Sequence, residues 1–218
     1  LRVGYFARCA NPRVAADVTA NTQAMLADLA ALGADIEEVT APFDWAEPPG
    51  RVLYQAGIAV GMAKHLPHWQ NQMDPVTLAF AERGARFTLA EWREAEWART
   101  ALFRAVQGLF AQYDMLVMPT IARTALPVGH DAANDQVMVD GVPTGITRQG
   151  WTAYQYPFNL TGHPALSIPS GFGVDGLPTA LQIVGPWGGE TDILRLGAML
   201  EQARPWAQHR PKLTGAAA

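Results

Sequence analysis

The first forty or so residues restrict the fold more than any other part of the chain. LRVGYF, rich in Val, Tyr and Phe, reads as a buried strand, and Val14, Val18, Met25, Leu29 and Leu32 then recur at helical spacing as far as Gly33. ADIEEVT follows as a second short strand. Two strands joined through a helix cannot pair as a hairpin, so they lie parallel with a right-handed crossover. The fold class is therefore α/β. Asn11 and Pro12 are expected to cap and open the helix, and Gly33 to end it. The turn after the first strand is ARCANPR rather than a glycine-rich loop, which removes the usual place for a nucleotide phosphate.

Downstream, APFDWAEPPG reads as a Pro-rich loop and RVLYQAGIAVGMAKHL as a helix weakened by Gly57 and Gly61. Asp74 and Pro75 open a short helix ending near Gly84. Thr88 and Glu91 form a capping box for a long helix whose stripe of Trp92, Leu102, Phe103, Val106, Leu109, Phe110 and Tyr113 faces the core. MLVMP is a buried strand, and Thr120 to Gly150 is expected as a long loop serving as lid or rim. WTAYQYPFNL reads as a short helix limited by Pro157, ALSIP and LPTALQIVG as strands, and TDILRLGAMLEQAR as an amphipathic helix. The chain divides into a βαβ unit (1–41), a helical segment (42–112), a strand and long loop (113–150), a C-terminal segment (151–205) and a tail (206–218).

Composition excludes several function classes. About half of the 218 residues are hydrophobic, enough to bury a sizeable core. The net charge of −4 and the absence of any Lys or Arg run argue against a nucleic-acid partner. No apolar stretch is long enough for a transmembrane helix, and no membrane partner is expected. With a single cysteine, Cys9, and no secretory pattern, the expected location is cytoplasmic. The sequence starts at Leu1 inside a strand, so a longer parent protein is expected.

Local motifs supply no complete active site. Gly171, Gly173 and Gly176 have the spacing of a dinucleotide loop, but Leu177, Pro178 and a strand follow where a helix N-terminus would be needed, so GFGVDG is a hairpin turn. The chain's serines, Ser167 and Ser170, sit in ALSIPSG outside any nucleophile motif and read as strand and turn hydroxyls. Neither Lys64 nor Lys212 shows the desolvated setting of a basic lysine. His65 and His68 are separated by Pro67 and lack a third ligand, so no metal site is expected. Cys9 could be a thiolate ahead of a helix, but a small buried side chain at a strand end is the preferred reading. Asn159, Leu160 and Thr161 match a glycosylation sequon by chance.

The segment from Tyr154 to Arg204 changes the picture. It resembles the C-terminal part of the amidase signature family, through Asn159, Gly162 and Pro164; Ala165, Ser167, Pro169 and Gly171; Gly176, Leu177 and Pro178; Leu181 and Gln182; and a final helix ending in Glu201. YDMLVMPT and the opening βαβ unit resemble the elements preceding it, while residues 42–112 show little likeness. The glycines suit turns closed to other residues, and Gln182 in an apolar strand is expected to bond backbone in the core.

The resemblance implies a mixed β-sheet flanked by helices and hydrolysis of an amide by two serines and a lysine. No Gly/Ser-rich run matching that machinery is present, so no catalytic residue and no cofactor is assigned. The chain is then expected to be the C-terminal portion of the enzyme, inactive alone and partnered by a missing N-terminal catalytic half. Thr120, Trp151, Thr152, Tyr154 and Gln155 are the expected substrate-pocket residues. Tested against the tRNA-linked amidotransferases, Thr152 cannot supply the carboxylate that would meet a substrate ammonium, so a neutral amide is expected. An apolar face left by the missing half would also favour a homo-oligomer. The alternative is a non-catalytic α/β binding or interaction subunit.

Overall fold

A computed structural model describes residues 1–43 and 46–210; Asp44 and Trp45 of the expected Pro-rich loop, and residues 211–218 of the tail, lie outside the described residues. Strand β1 (Arg2–Tyr5) leads through helix α1 (Ala16–Ala31) to β2 (Asp35–Glu38), which pairs parallel with β1 in the register Val3 to Ile36. Helix α1 begins later than Asn11 and Pro12 suggest. Cys9 and Ala10 take positive φ angles of 45° and 69°, and the Asn11 amide donates to the Arg8 carbonyl at 2.7 Å, closing a turn rather than capping a helix. The Ala16 amide instead donates to Asp140 Oδ2 at 3.1 Å, a cap supplied from a remote segment.

Helix α2 (Glu47–Met62) starts inside the stretch expected as loop, because Pro48 and Pro49 occupy its first turn, where a missing N–H costs nothing. A short α3 (Leu66–Trp69) precedes α4 (Pro75–Gly84), capped by Asp74, and α5 (Leu89–Leu109), which opens with the Thr88–Glu91 capping box. At Gly84 the backbone of α4 meets that of α2 so closely that a Cβ would stand 1.9 Å from the Gln55 carbonyl oxygen. Strand β3 (Met115–Pro119) is buried throughout and runs parallel to β1.

Residues 120–150 are more ordered than a lid. They contain a small hairpin, β4 (Met138–Val139) with β5 (Val142–Pro143), and a helical turn α6 (Thr147–Gly150). Val137 and Val139 pack on Ala15 and Val18 of the α1 end, which fixes this segment to the body. Helix α7 (Tyr156–Thr161) is shorter than the sequence suggests, since Pro157 lies in its first turn and starts it rather than limiting it. Gly162 ends it in the left-handed conformation with φ of 68°.

Strands β6 (Ala165–Phe172) and β7 (Pro178–Val184) form an antiparallel hairpin across the GFGVDG turn, and α8 (Glu190–Ala203) closes the fold. The sheet order is β2-β1-β3-β7-β6, parallel on one side and antiparallel on the other, a mixed sheet flanked by helices. One face, with Val3, Tyr5, Val117, Leu181 and Ile183, packs on Met25 and Leu29 of α1 and on Ile193, Leu196 and Leu200 of α8. The opposite face, with Leu116, Met118 and Val184, packs on Leu102 and Val106 of α5 and on Tyr154 and Phe158. Each such side chain contributes about 1.5–3 kcal/mol by leaving water, so the two layers hold the sheet from both sides.

Candidate functional site

The second sheet face is covered over β1 and β3 but open along the edge strand β6. Ala165, Ser167 and Pro169 point outward there, and all three are exposed. Thr120, directly after β3, donates its backbone N–H to the Ala180 carbonyl at 2.9 Å, which sets its side chain at the margin of the open area. The turn from Trp151 to Gln155 forms the adjoining wall. It is anchored twice to the 120s segment, by the Trp151 indole N–H donating to the Arg123 carbonyl and the Ala122 amide donating to the Trp151 carbonyl, both at 2.9 Å.

Tyr154 anchors the same turn from below. Its hydroxyl donates to the Ala7 carbonyl at 2.5 Å, and Gln182 Nε2 donates to its carbonyl at 3.4 Å, as expected for a polar residue inside an apolar strand. The ring is 0% exposed and packs near Phe6 and Cys9. A buried phenol with a backbone acceptor is a core side chain. Of the five residues expected at the pocket, Thr120, Trp151, Thr152 and Gln155 line one groove of about 520 Å³; Tyr154 lies beneath it.

The groove is without charge: its other lining residues are Ile121, Ser167, Ile168, Pro169, Pro178, Thr179 and Ala180. Thr120 Oγ1 and Ser167 Oγ share a hydrogen bond of 2.8 Å on its floor. Sequence reasoning places Ser167 in a strand, where it is, but not at this groove, although its spacing of three from Ser170 already sets the two hydroxyls on opposite faces. A second groove of about 500 Å³ shares Thr152 and Gln155 and adds Tyr54, Tyr156, Asn159 and Arg99, its one formally charged lining group. Behind it, the buried Glu47 carboxylate lies 2.7 Å from Arg148 Nε and 3.2 Å from Arg51 Nε. Burial, then the neighbouring Glu47, raises the Tyr156 phenol above its ordinary pKa.

Other candidates fall elsewhere. Cys9 is buried, and desolvation pushes its thiol up to about 12, which removes it as a thiolate nucleophile near neutral pH. Ser170 is buried on the opposite sheet face and bonds Thr179 Oγ1 at 2.9 Å. His65, His68 and Lys64 are exposed. Among the described residues no group of three His, Cys, Asp or Glu could hold a metal ion, and no helix is long and apolar enough to cross a membrane.

Comparison with known proteins bears on this geometry. The amidase family model matches residues 1–194. The chain belongs to the amidase family. An acylamidase of Rhodococcus erythropolis is 30% identical over 217 residues, covering 97% of this chain and 44% of the relative. Among solved structures, an amidase is 27% identical with a TM-score of 0.79 over 92% of this chain and 45% of its own. A 6-aminohexanoate cyclic dimer hydrolase, 24% identical, shares the fold with a TM-score of 0.81 over 97% of this chain and 47% of its own. The amidase match includes the helical segment 42–112, where the sequence alone shows little likeness. The chain spans less than half the length of these relatives.

Proposed function

We propose that this chain is the scaffold and substrate-pocket wall of an amidase that cleaves a carboxylic amide to an acid and ammonia or an amine. The serine nucleophile, its partner serine and the lysine belong to an N-terminal half that this chain lacks, and the chain alone is inactive. The observation that carries the reading is an uncharged groove at Thr120, Trp151, Thr152 and Gln155 in a chain matched to the amidase family over residues 1–194.

Physical chemistry supports the division of labour. Amide cleavage needs a nucleophile next to a base and donors aimed at the developing oxyanion. Ser170 is engaged with Thr179 in the core, and exposed Lys64 lacks the desolvation that would make it a base. A groove free of carboxylates offers nothing to an ammonium group, so the substrate is a neutral amide, aromatic ones included, rather than glutamine. The open sheet edge at β6 takes the catalytic half, and without it promotes self-association.

The test is restoration. This chain is expressed with the part of the Rhodococcus acylamidase sequence that it does not cover, and turnover of a neutral aryl amide is compared with that of glutamine. Hydrolysis favouring the aryl amide is expected. A restored enzyme favouring glutamine would overturn the substrate reading.

A further inference from the structure

We infer that the Thr120–Ser167 hydroxyl pair is the polar anchor of the groove and binds an uncharged carboxamide-type group beside an apolar substituent. The inference rests on the pocket-wall reading above and names the chemistry of that same site.

Two Ser/Thr pairs occur on this sheet, and they differ in the way that matters. Ser170 and Thr179 are buried, 2.9 Å apart, and Asn21 Nδ2 also donates to Thr179 Oγ1 at 2.9 Å, so that pair is saturated structure. Thr120 Oγ1 and Ser167 Oγ, 2.8 Å apart, make no other side-chain hydrogen bond among the described residues. They reach each other diagonally across β7, Thr120 from just past the end of β3 beside Ala180 and Ser167 from β6 opposite Gln182. Ser167 is exposed and Thr120 half-buried, so both oxygens face the groove.

A hydroxyl has one donor and two acceptor sites, and the shared bond consumes one donor. The pair therefore presents one O–H and several lone pairs within a small area. A carboxamide, carrying both C=O and N–H, complements that set, whereas a carboxylate or an ammonium needs a counter-charge that the groove lacks. Ile121, Pro169 and Pro178 supply apolar surface beside the pair, and the Trp151 indole, packed against Val137 and Val139 with its N–H committed to the Arg123 carbonyl, adds a fixed apolar wall.

The test is binding of benzamide to the 218-residue chain, followed by backbone-amide and indole NMR shifts, with benzoate and toluene as comparison probes. Saturable benzamide shifts at Thr120, Ser167, Ala180 and the Trp151 indole are expected, with weaker binding of both comparison probes. Thr120→Val with Ser167→Ala should weaken benzamide about tenfold, the loss of one to two neutral hydrogen bonds, while leaving spectra outside the groove unchanged. Ser170→Ala should bind as the parent. Shifts mapping elsewhere, no saturation, or equal benzamide affinity in the double variant would overturn the inference. Because no turnover is involved, benzamide binding at this pair would survive failure of the amidase reading. In a restored enzyme, the double variant hydrolysing neutral amides with unchanged KM would overturn the anchor while leaving that reading intact.

Discussion

The Glu47 carboxylate lies 2.7 Å from Arg148 Nε, joining the first turn of α2 to the turn that leads into the groove wall at Trp151. The Glu47 side chain is 7% exposed and Arg148 is 24% exposed, so this is a largely desolvated pair linking segments remote in sequence. Pairs of this kind add little over an apolar replacement but cost much when one partner is removed.

Glu47→Ala should therefore destabilise the chain by about 3 kcal/mol, the lower end for breaking a buried pair, because Arg148 and Arg51 retain some access to water. Urea denaturation measures this. Glu47→Leu with Arg148→Leu should recover much of the loss, and equal instability of the single and double variants would contradict the pairing.

Glycine positions on the helical segment should separate cleanly. Gly84→Ala would place its Cβ 1.9 Å from the Gln55 carbonyl oxygen, a backbone contact that neither helix can relieve by rotating a side chain. A loss of about 3 kcal/mol or more is expected, as for severe overpacking. Gly61 on α2 has nothing within 4 Å, so Gly61→Ala should stabilise by about 0.5–1 kcal/mol. Thermal midpoints of the two variants moving in the same direction would be inconsistent with this packing.

Acidification should weaken the fold through His163. Its ring is buried between Phe103 and Phe110, with centroids 5.3 and 5.4 Å away, and its nitrogens meet Thr161 Oγ1 at 2.8 Å and Gln107 Oε1 at 3.0 Å. Burial lowers its pKa. The unfolded chain takes up a proton near pH 6.5 that the folded chain resists. This contribution to stability is complete above that pH and declines as pH falls toward the folded-state pKa. The dependence of stability on pH between 6.5 and 5.5 should be shallower in His163→Gln than in the parent, and an unchanged slope would remove His163 as its source.

Local chemistry made much of this fold legible. The Thr88–Glu91 box and the Asp74 cap are complete within a few residues, and both form as the sequence indicates. Gly33 and Gly162 end helices with positive φ for the same reason. The start of α1 was hidden because its cap, Asp140, lies 124 residues away. The start of α2 was hidden because Pro48 and Pro49 suit a loop and a first helical turn equally well. At the groove, the short segment carrying Trp151, Thr152 and Gln155 could be found from family likeness. That Tyr154 turns inward depends on the Ala7 carbonyl waiting for its hydroxyl, a contact no local pattern encodes. Ser167 gained its setting only once Thr120 was brought beside it.

The most direct measurement is amide turnover by the purified 218-residue chain, free of any companion polypeptide, with intact mass recorded after a fluorophosphonate that labels activated serines. The proposed division of labour, with the bond-breaking groups in an N-terminal half, predicts no hydrolysis and no adduct at Ser167 or Ser170. A burst of product with stoichiometric serine labelling would contradict it.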